Sequence, residues 1–274
     1  MAKASQLPGR QIDSAALCVL PFQTGDKSNL YYIHEISGSV LQFAPIARRL
    51  SAYRNVIGLQ CVGLNPGYEA DRTIEQMAGR YLDAIDRQAY PPPYDIVGYS
   101  MGGLVAFEMA ARLAAGGRPV RLLGLIDPPT PGSPGRLDGA RIVRMMARTL
   151  RAGSVLKADT DDVERLLALL VAEGRTSRVF PAGYTVDDIR PSLDLQLING
   201  HAAEIYRPAR TYRSDVRLLA AGSGVLAAKA AGWAPHVEGW ILGEEVVADH
   251  FYLVQDEAAG LTAVLERWLT EAGR

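Results

Sequence analysis

Short apolar runs rich in β-formers alternate along this chain with stretches whose apolar residues recur at helical spacing, and no other feature restricts the fold as tightly. Leu30 to His34, Val56 to Cys61, Tyr94 to Gly98 and Val120 to Ile126 read as strands buried on both faces, as in a parallel sheet. Between them, Ile74, Met77, Ala78, Tyr81, Leu82 and Ile85 share one helical face. A further helix opening at Met101 runs to Gly116 and Gly117, which can take the left-handed conformation of a C-cap. The repeat of strand and helix predicts an α/β fold with a mostly parallel central sheet.

After Asp127 the pattern changes. The run PPTPGSPGR breaks the chain and is followed by helical sequence at 141–151, 160–173 and 186–206. Strand patterning resumes at Asp215, recurs near Trp240 to Val247, and gives way to a closing helix with Leu261, Val264, Leu265, Trp268 and Leu269 on one stripe. The expected organisation is an α/β core over 15–131 and 207–274, interrupted by a helical lid insertion at 132–206 and preceded by a leader, 1–14, with no assigned function. A chain of 274 residues is long enough to bury one sizeable core.

Charge excludes some partners. With 29 basic and 30 acidic side chains, no whole-molecule field draws the protein to nucleic acid or an anionic membrane. The N-terminal stretch lacks the apolar core of a signal peptide, and no apolar run reaches bilayer-spanning length. Cys18 and Cys61 both lie in apolar runs and read as buried thiols of a reducing compartment, so a cytoplasmic location is expected.

The chemistry lies in turns after strands. Gly98-Tyr99-Ser100-Met101-Gly102 is a G-x-S-x-G segment between an expected strand and an expected helix, the context a nucleophilic serine requires. A sharp strand-to-helix turn strains the serine and crowds its neighbours, so flanking positions must lack side chains. A serine hydroxyl also needs a base, and in this chain order the base follows the nucleophile. His250, between the last strand and last helix, is the candidate; His201 and His236 read as surface or packing residues, and His34 precedes the nucleophile. Asp127, ending the strand Val120 to Ile126, is the candidate carboxylate that orients the base, since the end of the next strand, Ala221-Gly222-Ser223-Gly224, has no acid. Asp249 is too close in sequence to face the His250 ring from behind.

Two backbone N–H groups are expected to bind a developing oxyanion: Met101, directly after the nucleophile, and Ile36, in the turn after the first parallel strand. His34-Glu35 is not a zinc motif, because no second histidine follows at helical spacing.

IHEISGSVLQFAPIARRL (33–50), VIGLQCVGL (56–64), YDIVGYSMGGLVAFEMA (94–110), LLGLID and ADHFYLV, in this order, resemble the terminal thioesterase domains of nonribosomal peptide and polyketide synthases. Free-standing editing thioesterases are similar, and carboxylesterases and lipases share the fold and the triad types. The resemblance implies an α/β-hydrolase fold with a helical lid and no cofactor bound to this chain. It also implies release of a small-molecule or peptide acyl group from a phosphopantetheine arm supplied by an acyl or peptidyl carrier protein, by hydrolysis or macrocyclisation through a Ser100 acyl-enzyme. Glu35 departs from it, standing where the family often has a proline. In the first insertion helix, Arg141, Arg144, Arg148 and Arg151 are spaced to line one face, an expected docking surface for an acidic carrier.

Overall fold

The computed structural model describes residues 13–88, 90–132, 135–255 and 260–273, so the leader expected at 1–14 lies almost wholly outside the described residues. The strands β1 (Val19–Gln23), β2 (Asn29–Ile33), β3 (Asn55–Leu59), β4 (Tyr94–Tyr99), β5 (Val120–Ile126), β6 (Val216–Ala221) and β7 (Ile241–Val246) form one sheet in the order β1-β3-β2-β4-β5-β6-β7. Only β1 runs antiparallel to its neighbour. Sequence patterning did not single out β1, and its composition explains why: Pro21 interrupts a five-residue run, and proline is tolerated only where a strand has a free edge.

The helices are α1 (Ala44–Leu50), α2 (Ile74–Arg87), α3 (Met101–Ala115), α4 (Gly139–Thr149), α5 (Gly153–Leu156), α6 (Val163–Thr176), α7 (Val186–Ile205), α8 (Leu226–Trp233) and α9 (Leu261–Ala272). The two-residue period of the strands feeds two cores. Tyr31, Ile33, Ile57, Leu59, Ile96, Leu123 and Leu125 face α2 and α3, whereas Leu30, Tyr32, Val56, Val97, Leu122 and Ile126 face α1 and α9, with Trp268 fully buried among them. Thr73 fixes where α2 begins by accepting the Gln76 N–H at 3.2 Å.

Helices α4 to α7 lie between β5 and β6 and carry their own apolar cluster, built on Ile142, Val143, Leu166, Leu167, Leu170 and Ile189. Ile36, from the core turn after β2, joins that cluster. The insertion therefore packs onto the sheet edge where the strands end. Sequence pattern gave three helical pieces there; the short α5 is the fourth, joining α4 to α6. No helix among the described residues is long and apolar enough to cross a membrane.

Candidate active site

Four strand ends converge on one place. In a parallel sheet all carboxyl ends point the same way, so turns from distant sequence meet there. Ser100 follows β4, Asp127 follows β5, His250 follows β7, and the His34–Gly38 turn follows β2.

Ser100 sits at φ 53° and ψ −125°, in the strained region that its tight turn demands. The flanking glycines are required by contact: a Cβ on Gly98 would lie 2.0 Å from the Gly102 carbonyl oxygen, and one on Gly102 would lie 2.2 Å from that of His34. The chain around the serine is thus wedged against the next helical turn on one side and against the β2 turn on the other. Ser100 is also the residue before α3, whose first N–H groups carry partial positive charge.

The three residues singled out for nucleophile, base and orienting acid come together. His250 Nε2 lies 3.1 Å from Ser100 Oγ, and His250 Nδ1 lies 2.5 Å from Asp127 Oδ2. The Tyr99 hydroxyl donates to the His250 carbonyl, and the two rings are 5.2 Å apart, which ties the histidine loop to β4. Asp127 has positive φ (42°) and is 5% exposed. Its Oδ1 accepts the Ala221 N–H at 3.1 Å and pairs with Lys229 Nζ at 2.9 Å. Burial pushes this carboxyl up, but the hydrogen bond and charge of His250 and the charge of Lys229 together outweigh it and hold the group below the usual carboxylate range. Lys229, on α8, carries no motif and was not foreseen from sequence.

Ile36 and Met101 N–H make no backbone hydrogen bond among the described residues. The Ile36 turn is held from beneath by a residue that sequence reasoning set aside. His34 is fully buried and donates from Nδ1 to the Glu35 carbonyl at 2.6 Å, while its Nε2 accepts the Tyr81 hydroxyl at 2.6 Å. Burial drives its pKa down to about 4, so the ring is neutral and the tautomer is fixed by these two partners. Because the Glu35 carbonyl and the Ile36 N–H share one peptide plane, His34 aims the Ile36 donor. From the insertion, Asn199 Nδ2 donates to the Ile36 carbonyl at 2.9 Å.

His201 is on the surface of α7, and His236 packs near Phe107 and Trp233, both away from Ser100. The four arginines read onto the first insertion helix do not form one free face, since α4 ends at Thr149 and Arg151 lies beyond it at φ 57°. Arg144 donates to the Ala158 and Thr160 carbonyls and pairs with Asp161, while Arg148 and Arg151 lie over the rings of Phe251 and Tyr252 at 5.3 and 4.8 Å. Arg141 is exposed.

Beside Ser100 and His250 opens a cavity of about 360 Å³, walled by Ile36, Met145, Leu150, Phe180 and Phe251 among others. The arrangement sets a hydroxyl, an imidazole hydrogen-bonded to a carboxylate, and backbone N–H groups next to an apolar cleft, a set of groups that can carry out acyl transfer.

The family model for the thioesterase domain matches residues 28–270. The chain belongs to the thioesterase domain family. Among curated proteins, this thioesterase domain is 39% identical over 112 residues to an atromentin synthetase of Paxillus involutus, covering 40% of this chain and 12% of that protein. An atromentin synthetase of Suillus grevillei is 38% identical over the same length and coverage. The matched segment thus spans about an eighth of these relatives. Among solved structures, the NocB thioesterase domain in covalent complex with a fluorophosphonate nocardicin G analogue superposes with a TM-score of 0.66 at 23% identity, covering 92% of this chain and 99% of that one. A four-domain nonribosomal peptide synthetase superposes at 0.76 with 22% identity, over 91% of this chain and 20% of that one. The type II thioesterase BorB reaches 0.64 at 18% identity, covering 92% and 98%. These likenesses establish the α/β fold with its mostly parallel sheet.

Proposed function

We propose that this chain releases an acyl or peptidyl group from the phosphopantetheine thiol of a carrier protein. The observation that carries the reading is the 3.1 Å approach of His250 Nε2 to Ser100 Oγ at the mouth of an apolar cleft, in a chain of the thioesterase family. Relatives named as synthetases, and a neighbour that is one domain of a peptide synthetase, support a carrier-borne donor.

Ser100 Oγ attacks the thioester carbonyl as its proton passes to His250 Nε2. Negative charge develops on the carbonyl oxygen and is taken up by the N–H groups of Met101 and Ile36. The C–S bond then breaks, His250 returns the proton to sulfur, and the pantetheine thiol departs, leaving the acyl group as an ester on Ser100. In the second half His250 takes a proton from water, or from an amine or hydroxyl of the acyl chain itself, as that group attacks the ester carbonyl; the C–Oγ bond breaks and His250 returns the proton to Ser100 Oγ, giving the free acid or a ring. Asp127 remains ionised throughout and stabilises the imidazolium. Carrier docking falls to the exposed Arg141, Arg148 and Arg151, because Arg144 is bound within the insertion.

The test pairs a fluorophosphonate label with product mass. Labelling of the native protein but not of Ser100→Ala, with faster turnover of acyl-pantetheine thioesters than of matched oxygen esters, is the expected result. No labelling of the native protein, or a preference for oxygen esters, overturns it. Product masses assign acid or ring. Arg141→Glu should slow carrier-bound substrate and leave a free pantetheine thioester unaffected.

A further inference from the structure

The cavity wall is apolar or neutral except at one point besides His250. Glu35 is the single carboxylate among the described residues that line it, and no lysine or arginine does so. Its Oε1 accepts the Ser37 hydroxyl and Gln42 Nε2, the latter at 3.2 Å, and its Oε2 accepts the Ser37 N–H at 2.8 Å. Two carboxylate oxygens offer about four acceptor positions, so these donors leave one open on Oε2. They also leave the charge without a cation of its own. Burial pushes the Glu35 carboxyl up, against the hydrogen bonds from Ser37 and the more distant His250.

A negative charge kept in an apolar cleft is costly unless something compensates it. The neutral donors explain why the side chain keeps its geometry, and they need no charge: a glutamine oxygen would hold the Ser37 N–H equally, with the Ser37 hydroxyl accepting instead. Among the described residues, no group of three or more potential metal ligands is present to draw a cation there. What fits the open lone pair is a substrate group that brings an N–H and a positive charge together.

We propose that Glu35 is a specificity-determining residue that selects acyl chains bearing a protonated amine near the thioester carbonyl. Glu35 immediately precedes Ile36, the donor proposed for the carbonyl oxygen, and lines the same cavity as Ser100, so the carbon next to that carbonyl is the part of the acyl chain closest to its reach. The substrate class is therefore aminoacyl thioesters with a free α-amine rather than neutral acyl groups. This rests on the carrier-thioesterase reading above.

The experiment compares leucyl-pantetheine with 4-methylpentanoyl-pantetheine, the same chain without the amine, on the native protein and on Glu35→Gln. A native kcat/KM ratio of about 10 or more in favour of the amine, falling toward 1 in the variant, is expected. If Glu35 only braces the turn, both substrates slow by one factor and the ratio is unchanged; that result, or a native ratio of 1, overturns the proposal. Should the native protein turn over neither thioester, the carrier-thioesterase reading fails on its own. The Glu35 assignment is then decided by affinities of Ser100→Ala, with and without Glu35→Gln, for the two corresponding pantetheine amides, where an unchanged affinity ratio rejects it.

Discussion

Lys229 Nζ stands 2.9 Å from Oδ1 of Asp127, while Oδ2 of the same carboxylate holds His250 Nδ1 at 2.5 Å. The carboxylate is thereby clamped between the Lys229 ammonium and the His250 imidazole. Lys229 also donates to the Pro128 carbonyl at 2.9 Å, so it fixes the turn that carries Asp127. Replacing it with methionine keeps most of the packing and removes both bonds. Since a charged hydrogen bond is worth about 1.5–3 kcal/mol, kcat should fall roughly 10-fold or more with KM little changed, and Lys229→Arg should recover part of the loss. Steady-state kinetics on an acyl-pantetheine thioester measures this; a native kcat in the methionine variant would show that the lysine only ties α8 to the sheet.

Asp127 itself makes a sharper prediction. Asparagine preserves shape but presents an amide to His250 Nδ1, favouring the wrong tautomer. Asp127→Asn should lower kcat by roughly three to four orders of magnitude while leaving the circular dichroism spectrum native. A loss below tenfold would mean that another acid orients His250.

Why Ser100, Asp127 and His250 were legible, and Lys229 was not, follows from what positions each. The first three sit at ends of parallel strands, and chain order plus the sheet's common direction bring such ends together whatever the intervening sequence does. Gly98 and Gly102 left a written trace because the close approach of backbone excludes a Cβ. Lys229 reaches Asp127 from the middle of α8, an alanine-rich helix of eight residues whose sequence has no strong stripe. His34 was passed over because its task is to hold a carbonyl, and a backbone partner has no sequence signature. The same holds for Asn199, whose bond to Ile36 spans 163 positions. β1 was hidden by its proline, and the helical spacing of the arginines holds for Arg141, Arg144 and Arg148 on α4 but not for Arg151, which follows its end; the partners Phe251, Tyr252 and Asp161 left no trace in sequence.

Asn199 ties the insertion to the Ile36 turn, proposed above to hold the oxyanion. Its Nδ2 donates to the Ile36 carbonyl, whereas its Oδ1 is buried with no hydrogen-bond partner among the described residues. Truncation removes a useful bond and a costly orphan together, and the two offset in stability. Asn199→Ala should therefore shift Tm little, yet lower kcat about 10-fold through a loosened donor, less than direct loss of an oxyanion donor costs. Thermal unfolding beside kinetics separates the effects; a large fall in Tm with unchanged kcat would reduce Asn199 to a packing residue.

The buried imidazole of His34 predicts a pH dependence of folding. In the native protein its pKa lies at about 4, whereas the unfolded chain titrates at about 6.5. Below pH 6.5 the unfolded chain takes up a proton that the folded one refuses. Stability from this residue is therefore full above pH 6.5 and drains away as pH falls toward 4, the loss between pH 7 and pH 5 being about 2 kcal/mol. Asp127 does not add to that window, because its folded carboxyl lies below the usual range and its contribution is lost only at lower pH. Burial pushes the Glu35 carboxyl up, so its contribution has the opposite sign, and the comparison must be between two proteins and not two pH values alone. His34→Gln loses bonds to the Glu35 carbonyl and Tyr81 and should be destabilised at pH 7 by about 1–3 kcal/mol. Urea unfolding at pH 7 and pH 5 should then show the gap between native and variant proteins narrowing by about 2 kcal/mol at the lower pH. A constant gap would mean that His34 accepts a proton in the folded state, and the neutral ring that aims the Ile36 N–H would have to be given up.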